Sequence, residues 1–184
     1  MPSASTDAVV GTSVAFSFIL LGNAITQTYM SVPALLVDFP APSSPSHPAA
    51  ARLLGRQWPV FWSIGNVFFR PISTLGVFGY AYASWMARRS GESGFGRQLN
   101  VKGVADWKLY AVSAACHLVT VVHSAINMQP LNAKLEGLRW EKGNEVDGKR
   151  AEEYARRWAK LNVVRMVMPL VAGSVALWQA VRTC

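Results

Sequence analysis

Apolar residues along this chain gather into four long runs, at about 8–30, 71–87, 107–128 and 161–181, separated by polar stretches. A bilayer hydrocarbon core of about 30 Å takes about 20 helical residues, and each run reaches or approaches that length. Backbone N–H and C=O groups in lipid must be satisfied within the segment, so each run is expected to be a helix. The second run has a helical lead-in from about Trp58, and Pro71 suits either its first turn or a kink in a longer helix. The pattern predicts an all-α protein: a four-helix transmembrane bundle forming one membrane-embedded domain over 1–184, with both termini on one face.

The connections differ in kind. "PAPSSPSHPAA" (40–50) is rich in Pro and Ser and reads as an irregular loop, with His47 in solvent. "RRSGESGFGRQLN" (88–100) is a polar turn. Its "GESGFG" joins two membrane runs, so it is not the strand-to-helix turn of a nucleotide-binding fold. The charged stretch 134–160 ends in good helix formers, which extend the fourth helix out of the membrane. Pro130 disfavours helix at Gln129, so the third helix is expected to end or bend there.

Composition agrees with a polytopic membrane protein: 51% of residues are hydrophobic and 15% charged, with seven tryptophans. A net charge of +8 would suggest nucleic acid in a soluble domain. Here Lys and Arg lie between the apolar runs, the usual membrane pattern, and no nucleic-acid-binding motif accompanies them. The face opposite the termini holds more of them, which favours that face as cytoplasmic, although its loops are long for the rule to decide. Two cysteines, Cys116 and Cys184, exclude a disulfide framework and a Cys-rich metal site. The first apolar run has no basic segment before it and reads as a retained span.

Polar residues fall at one depth in all four runs, near the face opposite the termini. The first run reaches that face with Asn23, Thr26 and Gln27, and the second leaves it with Asn66 and Arg70. The third reaches it with Thr120, His123 and Asn127, then Asn132, and the fourth leaves it with Trp158, Asn162 and Arg165. Spacings of three, four and seven put these residues on common helix faces. A pocket roofed by polar groups and floored by small apolar ones is expected, suited to an apolar ligand with a few polar atoms. The structural alternative is that such residues only tie helices together or reach for the interface.

His117 and His123 are six residues apart, about 120° and 9 Å on a helix, so they cannot share a metal unaided. The apolar runs offer no carboxylate, and no metal is expected. His117, deeper in its run, reads as structural. His123 can take up a proton and is the candidate general base.

Two short patterns carry a resemblance. "PLNAKL" is Pro-x-Asn-x-x-Leu at the end of a run, here Pro130, Asn132 and Leu135. "RWAKLNVVR" contains Trp-x-x-x-Asn-x-x-Arg, here Trp158, Asn162 and Arg165. With four runs in 184 residues, the chain resembles the family of small membrane proteins that includes the fungal anthrone oxygenases. It departs from the family pattern at His123–Ser124, where relatives carry an aromatic residue and Thr, and at Asn162, often His. The resemblance implies oxygenation of an anthrone-like aromatic polyketide to a quinone, with O2 as co-substrate and no flavin, haem or metal. It also implies an integral, multi-pass protein of the endoplasmic reticulum or another endomembrane, engaged in polyketide secondary metabolism. His123 would take the proton, and Arg165, Asn162 and Asn132 would hold the enolate oxygen. Trp158, Arg70, Asn127, Gln27, Asn66 and Thr120 would contact the substrate. The alternatives are a non-catalytic membrane scaffold or lipid-binding protein, with paired polar groups and no void, and a metal-dependent membrane oxidase.

Overall fold

The computed structural model describes residues 4–92, 105–140 and 148–183. Among them every regular element is helical. Helix α1 (Ala4–Thr26) passes through a π turn (Gln27–Ser31) into the short α2 (Val32–Leu35). Helix α3 spans His47–Glu92. Helix α4 (Trp107–His123) passes through a second π turn (Ser124–Met128) into α5 (Gln129–Gly137), and α6 spans Ala151–Thr183. The four long helices form a ring in which α1 packs on α3 and α6, and α4 packs on the same two. Both ends of the ring are apolar. Val10 of α1 and Ala176 of α6 share one cluster with Tyr80 and Tyr110, so the first and last helices meet at the same end. At the other end α2, α5 and the outer halves of α3 and α6 close a larger cluster around Trp58, Leu135 and Trp158.

Among the described residues, three stretches are long and apolar enough to cross a membrane: Ser5–Leu35, Trp107–Gly137 and Ala151–Arg182. Helix α3 is not one of them, because its run between Arg70 and Arg88 is diluted by Ser, Thr, Gly and Tyr. It is also much longer than expected. Its 46 residues extend about 69 Å, more than twice a hydrocarbon core. It begins at His47, inside the stretch expected to be an irregular loop, and runs unbroken through both Pro59 and Pro71. Tertiary packing holds it. At Gly55 the helix passes so close to α5 that a Cβ would lie 2.8 Å from Leu138 Cβ. Most of the expected turn over 88–100 lies outside the described residues.

The third helix does not stop at the proline. Pro130 sits in the first turn of α5, and Pro33 sits likewise in α2. A proline's ring collides with the carbonyl four residues back, here that of Ile126 and Tyr29. Both carbonyls lie in a π turn, which is wider, so the clash is absorbed and the helix continues.

His47 is not solvated. It is buried, with Nδ1 2.7 Å from Pro40 O and Nε2 3.0 Å from Gly148 O. The ring also meets Phe39 edge-on. It therefore clasps the start of α3 to the segment before α6.

Candidate active site

Between the two apolar clusters the helices enclose a cavity of about 300 Å³, within the size range of small-molecule sites. Seven residues expected from sequence line it: Gln27, Asn66, Arg70, Thr120, Asn132, Trp158 and Arg165. They come from the first π turn, α3, α4, α5 and α6, as the common depth of polar residues predicts. Both π turns face the cavity too, through Gln27 on one and Ser124, Ala125 and Met128 on the other. Of the lining residues only Arg70 and Ala125 are exposed, so the mouth lies between α3 and the second π turn. Val67, Phe68 and Ile126 flank that mouth and point outward.

Three expected site residues, His123, Asn127 and Asn162, do not reach the cavity. The Nε2 of His123 lies 3.0 Å from Leu161 O, and Asn127 Nδ2 donates to its Nδ1 at 3.1 Å. The lone pair that a general base needs is already taken, and His123 with Asn127 ties α4 to α6. Asn162 is fully buried, and its Nδ2 donates to Ala24 O at 3.0 Å and to Thr28 Oγ1 at 2.8 Å. Its Oδ1 accepts from Arg165 Nη1 at 3.0 Å. Asn162 thus locks α6 to α1 and aims the guanidinium of Arg165.

Asn132 turns inward as expected, but its partner is different. Trp58 Nε1 donates to Asn132 Oδ1 at 3.1 Å, so the bond runs to α3 instead of to Asn162 or Arg165. Trp58 meets Trp158 edge to face, with ring centroids 5.4 Å apart. Trp158 lines the cavity, and its contact with Trp58 fixes this first residue of the Trp-x-x-x-Asn-x-x-Arg pattern. The three pattern residues therefore have distinct duties: Trp158 packs, Asn162 braces and Arg165 faces the cavity.

His117 lies one turn below the floor formed by Leu20, Ser73 and Thr120. It is fully buried, with Nδ1 3.2 Å from Ser73 O and Nε2 2.9 Å from Ser17 Oγ. A carbonyl only accepts, so Nδ1 carries a proton, and the single hydroxyl proton of Ser17 is shared between Ser13 O, 3.0 Å away, and His117 Nε2. The Ser17 hydroxyl can then accept from Tyr80, whose oxygen is 2.9 Å away. The imidazole fits because residue 76 is glycine; a Cβ there would collide with the ring. The structural reading of His117 agrees with this closed network. Among the described residues, no three His, Cys, Asp or Glu side chains converge as a metal site.

Sequence reasoning missed Trp62, Phe69 and Ser73, which also line the cavity. Their spacing on α3 is a usable signal: 62, 66, 69 and 73 share one helix face. The two prolines mask it, because they suggest that the second helix starts in earnest only at Pro71.

No curated protein and no solved structure matches the chain. The family model described as Anthrone oxygenase matches residues 58–175, well over half of the chain. That stretch holds α3 from Trp58, α4, α5 and α6 as far as Val175, and with them most of the cavity wall. The chain belongs to the anthrone oxygenase family.

Proposed function

We propose that the protein uses O2 to oxidise an anthrone-like aromatic polyketide to the corresponding quinone, with the substrate bound in the interhelical cavity. The observation that carries this reading is Arg165: a cation aimed into the cavity by a buried asparagine, with no carboxylate among the lining residues. The chemistry asks for such a group. Loss of a proton from the central CH2 gives a delocalised aromatic enolate, and charge-assisted donors in a low-dielectric site stabilise its oxygen. That anion gives one electron to O2, and the radical pair joins to form a C–O bond. Protonation yields the hydroperoxide. Loss of the remaining C–H proton, with cleavage of the O–O bond, leaves the carbonyl and one water. The substrate supplies the electrons, so the scheme needs no flavin, haem or metal.

The protein's share is ring binding, oxyanion stabilisation and exclusion of bulk water. Trp158, Trp62 and Phe69 offer aromatic surface to the rings. Arg70 stands at the mouth as a second cation. We assign no general base to His123; Arg165 makes the CH2 more acidic, and water or buffer at the mouth takes the proton. The cavity supports an enzyme over a scaffold, which would have only the paired groups. We further propose that α3 also crosses the bilayer through 71–87, giving four spans in an endomembrane such as the endoplasmic reticulum.

The test is product analysis of the purified protein in lipid nanodiscs given an anthrone and ¹⁸O2. Wild type should form anthraquinone carrying one ¹⁸O in the new carbonyl. Arg165→Ala should be slower by about 10²- to 10³-fold, the usual cost of an oxyanion donor. No product above the protein-free rate refutes the reading.

A further inference from the structure

Gln27, Ser73 and Trp62 all line the cavity, and each holds a buried polar atom with no partner among the described residues: Gln27 Oε1, Ser73 Oγ and Trp62 Nε1. Gln27 and Ser73 are themselves more than nine-tenths buried, at 6% and 5% exposure. Buried polar atoms are nearly always paired in folded proteins, so orphans gathered around one cavity point to partners that a ligand brings. Three polar neighbours do have partners. Thr120 donates to Cys116 O, Ser124 donates to Thr120 O, and Asn132 accepts from Trp58.

Their placement has a direction. Trp62 and Ser73 are eleven residues apart on one face of α3, about 17 Å along its axis. Gln27 faces them across the cavity from the first π turn. Trp62 Nε1 can only donate, and Ser73 Oγ can donate or accept. Gln27 Oε1 can only accept, so its partner must carry a proton. Arg165 and Arg70 supply only donors, and neither bonds to Gln27 here. The unsubstituted ring system offers only carbonyl acceptors, so Gln27 Oε1 would stay desolvated and unpaired.

Resting on the oxygenase reading, we propose that Gln27, Ser73 and Trp62 are specificity residues that read hydroxyl groups on the ring system, so the site selects polyhydroxylated substrates over the unsubstituted ring. A site built to hydrogen-bond a hydroxyl rejects the analogue without it far more strongly than an apolar pocket rejects an added group. Gln27→Leu and Ser73→Ala remove orphans from the empty protein, so neither should lower its stability.

The test separates selection from catalysis by using equilibrium binding. The probes are 2,6-dihydroxyanthraquinone, whose hydroxyls stand at opposite ends of the rings, and anthraquinone. Binding to the full chain in nanodiscs is read from quenching of tryptophan fluorescence. Wild type should bind the dihydroxy compound at least about tenfold more tightly. Gln27→Leu and Ser73→Ala should each reduce that ratio, by weakening the dihydroxy compound and leaving anthraquinone unchanged. Equal affinities in wild type, a ratio that survives both substitutions, or no binding of either probe overturns the proposal. If the ratio behaves as expected and no anthrone is oxidised, the oxygenase reading fails and the selection of hydroxylated rings stands.

Discussion

Under the proposed function Asn162 joins stability and catalysis in one side chain, and Asn162→Ala can separate them. The substitution removes two donations to α1 and its π turn, at 3.0 and 2.8 Å, and the acceptor for Arg165. The side chain is fully buried, so water does not replace these bonds. A typical intramolecular hydrogen bond contributes about 1 kcal/mol, and an orphaned buried partner costs about 1–3 kcal/mol. Loss of these two bonds should therefore cost about 2–4 kcal/mol, a large part of a usual total of about 5–15 kcal/mol. The Arg165 bond works differently. Without it the guanidinium stays but loses its aim, and turnover should fall about 10- to 100-fold. A double-mutant cycle with Arg165→Ala tells the two roles apart. Stability, from unfolding in mixed micelles, should fall by a similar amount in both backgrounds, because the same two bonds are lost. Turnover, as kcat/KM on the anthrone, should fall when Arg165 is present and be nearly unchanged once it is gone. An equal loss of turnover in both backgrounds refutes the claim that Asn162 acts through Arg165.

The remaining expectations rest on single contacts. His123→Gln should keep turnover within a few-fold of wild type and leave the pH profile unmoved, because the imidazole is a brace; a loss beyond about 10²-fold that rising pH restores would make it the base after all. Gly76→Val should drive a side chain into the His117 ring and destabilise the bundle by about 1–3 kcal/mol, seen as a lower unfolding midpoint. Ala125→Trp should close the mouth, so substrate association slows while the unfolding midpoint holds. Unchanged association kinetics would place the entrance elsewhere.

Much of the architecture is legible in hydrophobic periodicity, because lipid forces every spanning segment to be a helix. The depth of the site is legible for a related reason. Polar side chains are costly in an apolar layer, so their clustering at Asn23–Gln27, Thr120–Asn127 and Trp158–Arg165 signals a shared layer. The features that sequence hides depend on contacts between distant residues. Proline chemistry argues against a continuous α3, and only packing of its outer half on α5 and α6 overrides it. His47 reads as a loop residue because its two carbonyl partners lie 7 and 101 positions away. Spacing puts His123, Asn162 and Arg165 at one depth but does not say which side each faces. Asn162 and Arg165 are three apart, yet one binds α1 and the other lines the cavity.

The two π turns set the register of the helices beyond them. A π turn holds about one residue more than an α turn, so each can be viewed as a single residue inserted into a once-regular helix. Deleting one residue from 124–128 would restore α geometry and nearly keep that register, whereas deleting one from the regular turns of α4 would swing everything beyond by about 100°. Asn132 would leave Trp58, and the Leu131, Leu135 and Leu138 face would rotate out of the cap in one move. The cavity therefore tolerates exchange of its side chains, or loss of a residue within a π turn, far better than a change in length of the regular helices. In evolution such a site can vary its substrate by substitution, while insertions and deletions are confined to the connections between helices and to the two π turns.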